Sequence, residues 1–332
     1  MSTKDPVRTM SRWKRLVFSL VPTLVILLLI VAAEYLLRAT GPPADDGLVT
    51  EVQFDGTTWY QTNRASLRRY FAAGSPLVPE FKTILFRKEK LPETFRVICL
   101  GSSSMFGTPY DMNANIPGIL RRQVRHRYPA KEWEIINFGA SAINSNVVRD
   151  LAPALLAFRP DLVLIYMGHN EYYGPDGIGA SYPEKLLPFL TPLKYRARQL
   201  RLVQMLESWF ASGRAGQGAA VNLMQQVSGG QRVSLRSAES DRVLEHFGDN
   251  LDAIFTTFAE AGVPVIVSDI ASNTMFPPFV GDTMVASRNA AAFDAQMRAD
   301  AAARRYAEMV NAVDALGAEA TDHPVPLYWK GV

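Results

Sequence analysis

Four short apolar runs constrain this chain more than any other feature, because none shows the in-out alternation of a strand with one wet face. Phe95–Leu100 (FRVICL), Trp133–Phe138 (WEIINF), Leu162–Met167 (LVLIYM) and Val263–Val267 (VPVIV) are strand-length and largely apolar throughout. Strands covered by helices on both sides read this way. The first three close on Gly101, Gly139 and Gly168. Helical spacing fills the intervals: Ile116–Tyr128, Asn146–Phe158 despite Pro153, and a helix capped by Ser240. In that last helix Phe247, Leu251, Ile254, Phe255 and Phe258 share one face before Gly262 closes it. Alternating strands and helices predict an α/β fold, three-layered α/β/α around a parallel sheet. Reactive groups in such folds collect outside the carboxyl ends of the strands. That rule selects Gly101–Ser104, Gly139–Ser141 and Gly168–Glu171.

The N-terminus sets a second constraint. Leu16–Ala33 holds 18 residues without a charge, enough for a helix of about 27 Å, close to a bilayer core. Lys4, Arg8, Arg12, Lys14 and Arg15 precede it, against Asp5 alone, so the positive-inside rule keeps the tail cytoplasmic and sends the remainder outward. In a bacterium that is a single-pass inner-membrane protein with a periplasmic domain, held by Leu16–Leu37. A cleaved signal peptide is the rival reading, since Val31, Ala32 and Ala33 suit a small-residue cleavage site. The net charge is only +3, and no long basic stripe remains after the tail, which argues against a nucleic-acid partner. Cys99 is the single cysteine. It excludes an intramolecular disulfide or a cysteine-based metal cluster, and its apolar surroundings make it a core residue.

Chemistry concentrates at the three strand ends. A serine becomes nucleophilic only when a turn exposes it among a base and oxyanion donors, and Gly101-Ser102-Ser103-Ser104 supplies such a turn. Gly139 lets its N–H approach a ligand closely, and the Asn170 side chain can donate to a developing oxyanion. Each also has a plain structural reading: a serine capping the next helix, a turn glycine, an asparagine bonded to its own backbone.

Taken in order, LGSSSMFG (Leu100–Gly107), NFGAS (Asn137–Ser141) and GHNE (Gly168–Glu171) resemble the first three conserved blocks of the SGNH/GDSL hydrolase family. The resemblance implies that Ser103 is the nucleophile. It also implies that the Ser103 N–H, the Gly139 N–H and the Asn170 side chain form the oxyanion hole, with no metal or cofactor. GHNEYYGP (Gly168–Pro175) with SNTMFPPF (Ser272–Phe279) is similar to a membrane-anchored bacterial subgroup in which the domain precedes helical repeats. Two departures stand out. Ser102 occupies the position usually acidic in the family, and the family's Asp-x-x-His pair, source of the general base, is absent. Of the four histidines, His126 and His246 fall in helices away from any strand end, His169 adjoins Asn170, and His323 follows Asp322 with the wrong spacing. Tyr328-Trp329-Lys330-Gly331 faintly resembles the opening of a tetratricopeptide helix, so the chain is expected to be a truncated product whose base lies beyond Val332 and whose C-terminal repeats offer a protein partner.

Other motifs fail. Asp111, Asn113 and Asn115 begin like a calcium loop, but Ile116 replaces its turn glycine and Arg122 its bidentate glutamate. No P-loop lysine, G-x-G-x-x-G or histidine-carboxylate cluster supports a nucleotide or zinc. The expected organisation is a cytoplasmic tail (1–15), a transmembrane anchor (16–38), a stalk leading into the domain (39–90), a hydrolase core (91–280) and a C-terminal helical segment (281–332). Within the core, 172–239 is an insertion placed as a lid or surface excursion, and Ala286–Leu316 reads as one long Ala-rich helix. The expected activity is hydrolysis of an acyl ester on an extracytoplasmic glycan or lipid. An O-acyltransferase, or a non-catalytic binding module on the same fold, is the alternative.

Overall fold

The computed structural model describes residues 12–41, 47–71, 78–177, 190–212, 238–271, 284–285 and 288–316. Its centre is a four-stranded parallel sheet of β4 (Thr94–Gly101), β5 (Glu132–Asn137), β6 (Leu162–Tyr166) and β7 (Val265–Val267), in the order β5-β4-β6-β7. These are the four apolar runs, each within one or two residues of its expected bounds. Pleating sends Ile98 and Leu100 of β4 to one face with Ile136, Phe138, Val163 and Ile165, and sends Val97 and Cys99 to the other with Ile135.

Helices pack on both faces. On the first lie α4 (Ser145–Leu155), through Val147, Val148, Leu151 and Leu155, and α7 (Ala238–Glu260), through Ile254 and Phe258. On the second lie α2 (Ser103–Phe106), through Met105, and α3 (Ile116–Arg127), through Leu120 and Val124. Cys99 is fully buried in this second layer, and burial pushes its thiol up to about 12. Asn115 caps α3 by accepting from the Gly118 N–H at 2.8 Å, while its Nδ2 donates to Phe106 O at 3.0 Å. The abortive calcium loop is therefore a helix cap that ties α3 to α2.

Several expectations are corrected. The supposed stalk is folded: β1 (Val49–Phe54), β2 (Thr57–Thr62) and β3 (Leu85–Arg87) form an antiparallel sheet, with a 3-10 helix over Arg64–Tyr70. Leu48, Leu67, Tyr70, Phe81 and Phe86 enter the main core from this region. These five residues are too sparse for a periodic signal, yet each is buried by tertiary contact. Ser240 does not cap its helix, which already includes Ala238; it is buried, and its Oγ lies 2.8 Å from Tyr172 Oη. The single Ala-rich helix is instead two, α8 (Ala290–Ala302) and α9 (Tyr306–Asp314). Arg304 turns left-handed between them, and Arg305 Nη2 reaches Asp300 Oδ1 at 2.5 Å. Burying Phe293 and Met297 on one helix and Met309 and Val313 on the other overrides the helix propensity of the alanines. Residues 284–285 and 288–289 form a two-stranded ladder ahead of α8. The SNTMFPPF motif, His323 and the tetratricopeptide-like terminus lie outside the described residues, as do 178–189 and 213–237 of the insertion.

The N-terminal helix α1 runs Arg12–Thr40. It carries one apolar span, Leu20–Thr40, with no part buried inside the protein. By length and composition it can cross a membrane or serve as a signal sequence.

Candidate active site

The chain passes from β4 outward to β5 and then back across β4 to β6, so the sheet order reverses between β4 and β6. Open α/β sheets form a crevice at such a reversal, at the carboxyl ends of the strands. Ser103 follows β4 there, Gly139 follows β5 and Asn170 follows β6.

Steric crowding shapes the Ser103 turn. A Cβ on Gly101 would stand 2.1 Å from Tyr166 O and 2.8 Å from Met105 Cβ, so only glycine fits between β6 and the turn. Ser102 is extended and α2 begins at once. The α2 turn closes with Phe106 N–H donating to Ser102 O (2.9 Å) and Gly107 N–H to Ser103 O (2.8 Å). Ser103 is half-buried at the rim. Ser102 is fully buried, and its Oγ has no hydrogen-bond partner among the described residues.

The second loop runs directly alongside. Phe138 N–H donates to Cys99 O (2.9 Å) and Ala140 N–H to Gly101 O (3.1 Å), extending the β5–β4 ladder past the last paired strand residue. A Cβ on Gly139 would lie 2.8 Å from Phe106 N and 2.9 Å from Met105 Cβ, so Gly139 abuts the turn that starts at Ser103. Thr108 Oγ1 and Ser141 Oγ, 3.4 Å apart, join the same two loops at the surface. The Gly139 N–H donates to Asn137 Oδ1 at 2.8 Å, and Asn137 Nδ2 donates to Met105 O at 2.9 Å. A ligand can take the Gly139 donor only by exchanging places with the Asn137 carboxamide.

The third loop closes the arc. Asn170 is buried, and its Nδ2 donates to Ile143 O at 3.0 Å; an amide carries two hydrogens, which leaves one. Ser103 and Asn170 share no direct hydrogen bond, and the three loops meet through the Gly139 segment. Next to Asn170, Glu171 caps α4: its carboxylate accepts from the Ser145 N–H (3.0 Å) and from Ser145 Oγ (2.5 Å). An acid at a helix N-terminus satisfies an orphan donor and opposes the helix dipole. Burial nevertheless raises the Glu171 pKa, outweighing the Ser145 hydroxyl and N–H that lower it. Asn250 Nδ2 donates to Ser145 Oγ and Asn146 Oδ1 (both 2.9 Å), while Asn144 and Asn146 each donate to Pro175 O (3.0 and 3.1 Å).

Sequence reasoning missed this supporting network. One signal was present: Asn250 interrupts the apolar face of Phe247, Leu251 and Ile254, and a polar residue on such a face needs buried partners. His246 is also closer than its place in the sequence suggested. Its Nε2 lies 2.7 Å from Asn146 Oδ1, so α7 lays it against the start of α4, beside the site. Burial, then the Arg149 charge, lower its pKa, and with Asn146 Oδ1 as acceptor the neutral ring donates through Nε2, as a strut. His126 is exposed on α3. His169 is exposed at the rim, its ring edge-on to Tyr166 at 5.5 Å; partial burial lowers its pKa against a backbone hydrogen bond with Ala271. Among the described residues no histidine hydrogen-bonds to Ser103, and no three His, Cys, Asp or Glu side chains group as metal ligands. An apolar groove of about 490 Å³ runs along the β7 edge, lined by Phe255, Val263, Val265 and Val267 among others. None of the three predicted site residues lines it.

No protein-family profile matches the sequence, and no curated protein matches it. Among solved structures, TesA is similar over 51% of this chain and 76% of its own, at 16% identity and a TM-score of 0.26. An extracellular lipase from Streptomyces rimosus is similar over 52% and 80%, at 16% identity and a TM-score of 0.23. Likenesses so distant add nothing to the geometry, and the functional reading rests on the site.

Proposed function

We propose that this chain is a membrane-anchored serine ester hydrolase of the SGNH/GDSL type, acting on an acylated extracytoplasmic glycan or lipid. The observation that carries the reading is the meeting of the Ser103, Gly139 and Asn170 loops at the reversal point of one parallel sheet. Ser103 Oγ attacks the acyl carbonyl, and the alkoxide-like oxygen accepts from the Ser103 N–H, the Gly139 N–H and the second Asn170 hydrogen. The proton that Ser103 Oγ gives up passes to the departing alkoxide, which leaves as the alcohol, and water then adds to the acyl group and releases it as the acid, restoring the Ser103 hydroxyl. Among the described histidines only His169 stands on one of these loops, and partial burial lowers its pKa. The exposed apolar flanks of α1, with Leu24, Ile26, Leu28 and Leu29 all more than half exposed, support its role as the anchor.

One observation favours a second reading. The Gly139 N–H and one Asn170 hydrogen are already bonded within the protein, which suits a binding module that does no chemistry. A fluorophosphonate probe on the full-length gene product separates the two. Labelling that disappears in Ser103→Ala is expected of the hydrolase, and a folded protein that resists the probe belongs to the binding module.

A further inference from the structure

Helix α6 (Arg201–Ser212) begins where the apolar part of α1 gives out. Glu34 is the first charged residue after the Leu16–Ala33 run. Its two carboxylate oxygens accept from the N–H groups of Arg201 (3.1 Å) and Leu202 (3.0 Å), and Arg38 Nε donates to it at 2.6 Å. The first turn of α6 is thus clamped to α1 at the level where a membrane helix leaves the hydrocarbon. From that point α6 extends about 18 Å and exposes Met205 (47%), Leu206 (40%) and Trp209 (72%) on adjoining positions. Its polar side turns inward, with Gln204 Nε2 donating to Arg198 O (2.9 Å) and Arg198 Nε to Glu207 Oε1 (2.8 Å). Just before it, α5 (Thr191–Ala197) exposes Leu193 (62%) and the cation Arg196.

We propose that α6, with Leu193 of α5, lies in the headgroup layer of the bilayer that α1 crosses, so that the domain rests on a lipid surface and does not hang from a single helix. The inference rests on the reading of α1 as a membrane span. Its partner is phospholipid: large apolar side chains held at a fixed height on the flank of a membrane helix meet lipid there, tryptophan favours the interface, and Arg196 faces anionic headgroups. The same elbow is keyed to the candidate site. Lys194 Nζ and Tyr195 Oη donate to Asp176 at 2.5 Å each, Asp176 ends the loop that begins at Gly168, and Tyr195 packs edge-on against Tyr70 at 4.7 Å. Contact with the bilayer and the position of the Asn170 loop are joined by one short chain of partly buried contacts.

The test uses the full chain and its Trp209→Phe variant, reconstituted in vesicles of phosphatidylcholine brominated near the carboxyl end of its acyl chains. The difference between their emissions is the Trp209 signal. Loss of most of that signal to bromolipid, with little loss to iodide on the domain side, is the expected result. Quenching by iodide and not by bromolipid, in protein that resists alkaline carbonate extraction, overturns the interfacial placement and leaves the anchor intact. Release of the protein by carbonate removes the membrane span, and this inference with it.

Discussion

The two ends of the central sheet are built from opposite chemistry. At the amino end, Arg96 is fully buried and all three of its guanidinium nitrogens donate: Nε to Glu134 Oε2 (2.6 Å), Nη1 to Phe158 O (2.5 Å) and Nη2 to Arg87 O (2.7 Å), with the guanidinium over the Phe86 ring. Its own N–H goes to Asp161, which pairs with Lys90. At the carboxyl end amides and hydroxyls gather around the Glu171 carboxylate, with Arg149 Nη1 donating to Asn250 Oδ1 (3.0 Å) behind them. Among the described residues, buried groups are left unmet at both ends: Trp59 Nε1 and Arg87 Nε beside Arg96, and one Asn170 hydrogen, Asn144 Oδ1 and Ser102 Oγ at the site. Buried polar groups are ordinarily paired, so groups left unmet mark where strain or function resides. The amino end fixes the strands through charge pairing, and the carboxyl end carries the three loops of the candidate site.

Substitutions at the two ends should therefore separate stability from reactivity. Ser103→Ala should abolish fluorophosphonate labelling and leave the denaturation midpoint unchanged, because the Ser103 hydroxyl makes no hydrogen bond among the described residues. Arg96→Ala should do the reverse. Removing one partner of a buried ion pair strands Glu134 and two carbonyls at a cost of about 3–5 kcal/mol, read as a lowered urea midpoint, while the protein that remains folded still reacts with the probe. Labelling lost in Arg96→Ala at full folding would erase the division between the ends.

The division was half legible in the sequence. The strands of the parallel sheet announced themselves, because a strand covered on both faces has to be apolar along its length, and the three loops followed from the strand ends. Arg96 carried no such signal. A cation inside FRVICL reads as an exposed residue until tertiary structure brings Glu134 and two carbonyls around it from distant segments. The same holds for Glu171 and Asn250, whose partners lie 26 and more than 100 residues away. Residues 47–71 escaped for a different reason: β1 and β2 are half-exposed, and their packing residues sit singly, without a period to detect. The break at Arg304 was hidden because helix propensity reports on the isolated segment, and burial of two separate apolar sides decided the outcome.

At the carboxyl end the next largest effect belongs to Asn170→Ala. Losing one oxyanion donor lowers the chemical step on the order of a hundred- to a thousandfold, with KM changed little, measured as the rate of ester turnover by the full-length protein. A rise in KM at unchanged kcat would reassign Asn170 to substrate binding.

Glu171 gives the smallest effect and the most discriminating one. Glu171→Ala removes the cap of α4 and should cost about 1–2 kcal/mol. Glu171→Gln keeps an acceptor for the Ser145 N–H but loses the charge. Because the folded protein raises the Glu171 pKa, it holds that proton more tightly than the unfolded chain does. The ionised side chain therefore subtracts from stability, with no penalty below the ordinary glutamate pKa of about 4.3 and the full penalty above the raised folded value. Through that window the wild type should lose stability relative to Glu171→Gln as pH rises. Two parallel profiles of unfolding free energy against pH would mean that the hydrogen bonds from Ser145 fully offset burial. The cap would then be an ionised anchor as settled as those around Arg96, and the contrast between the two ends would narrow to Asn170 and Ser102.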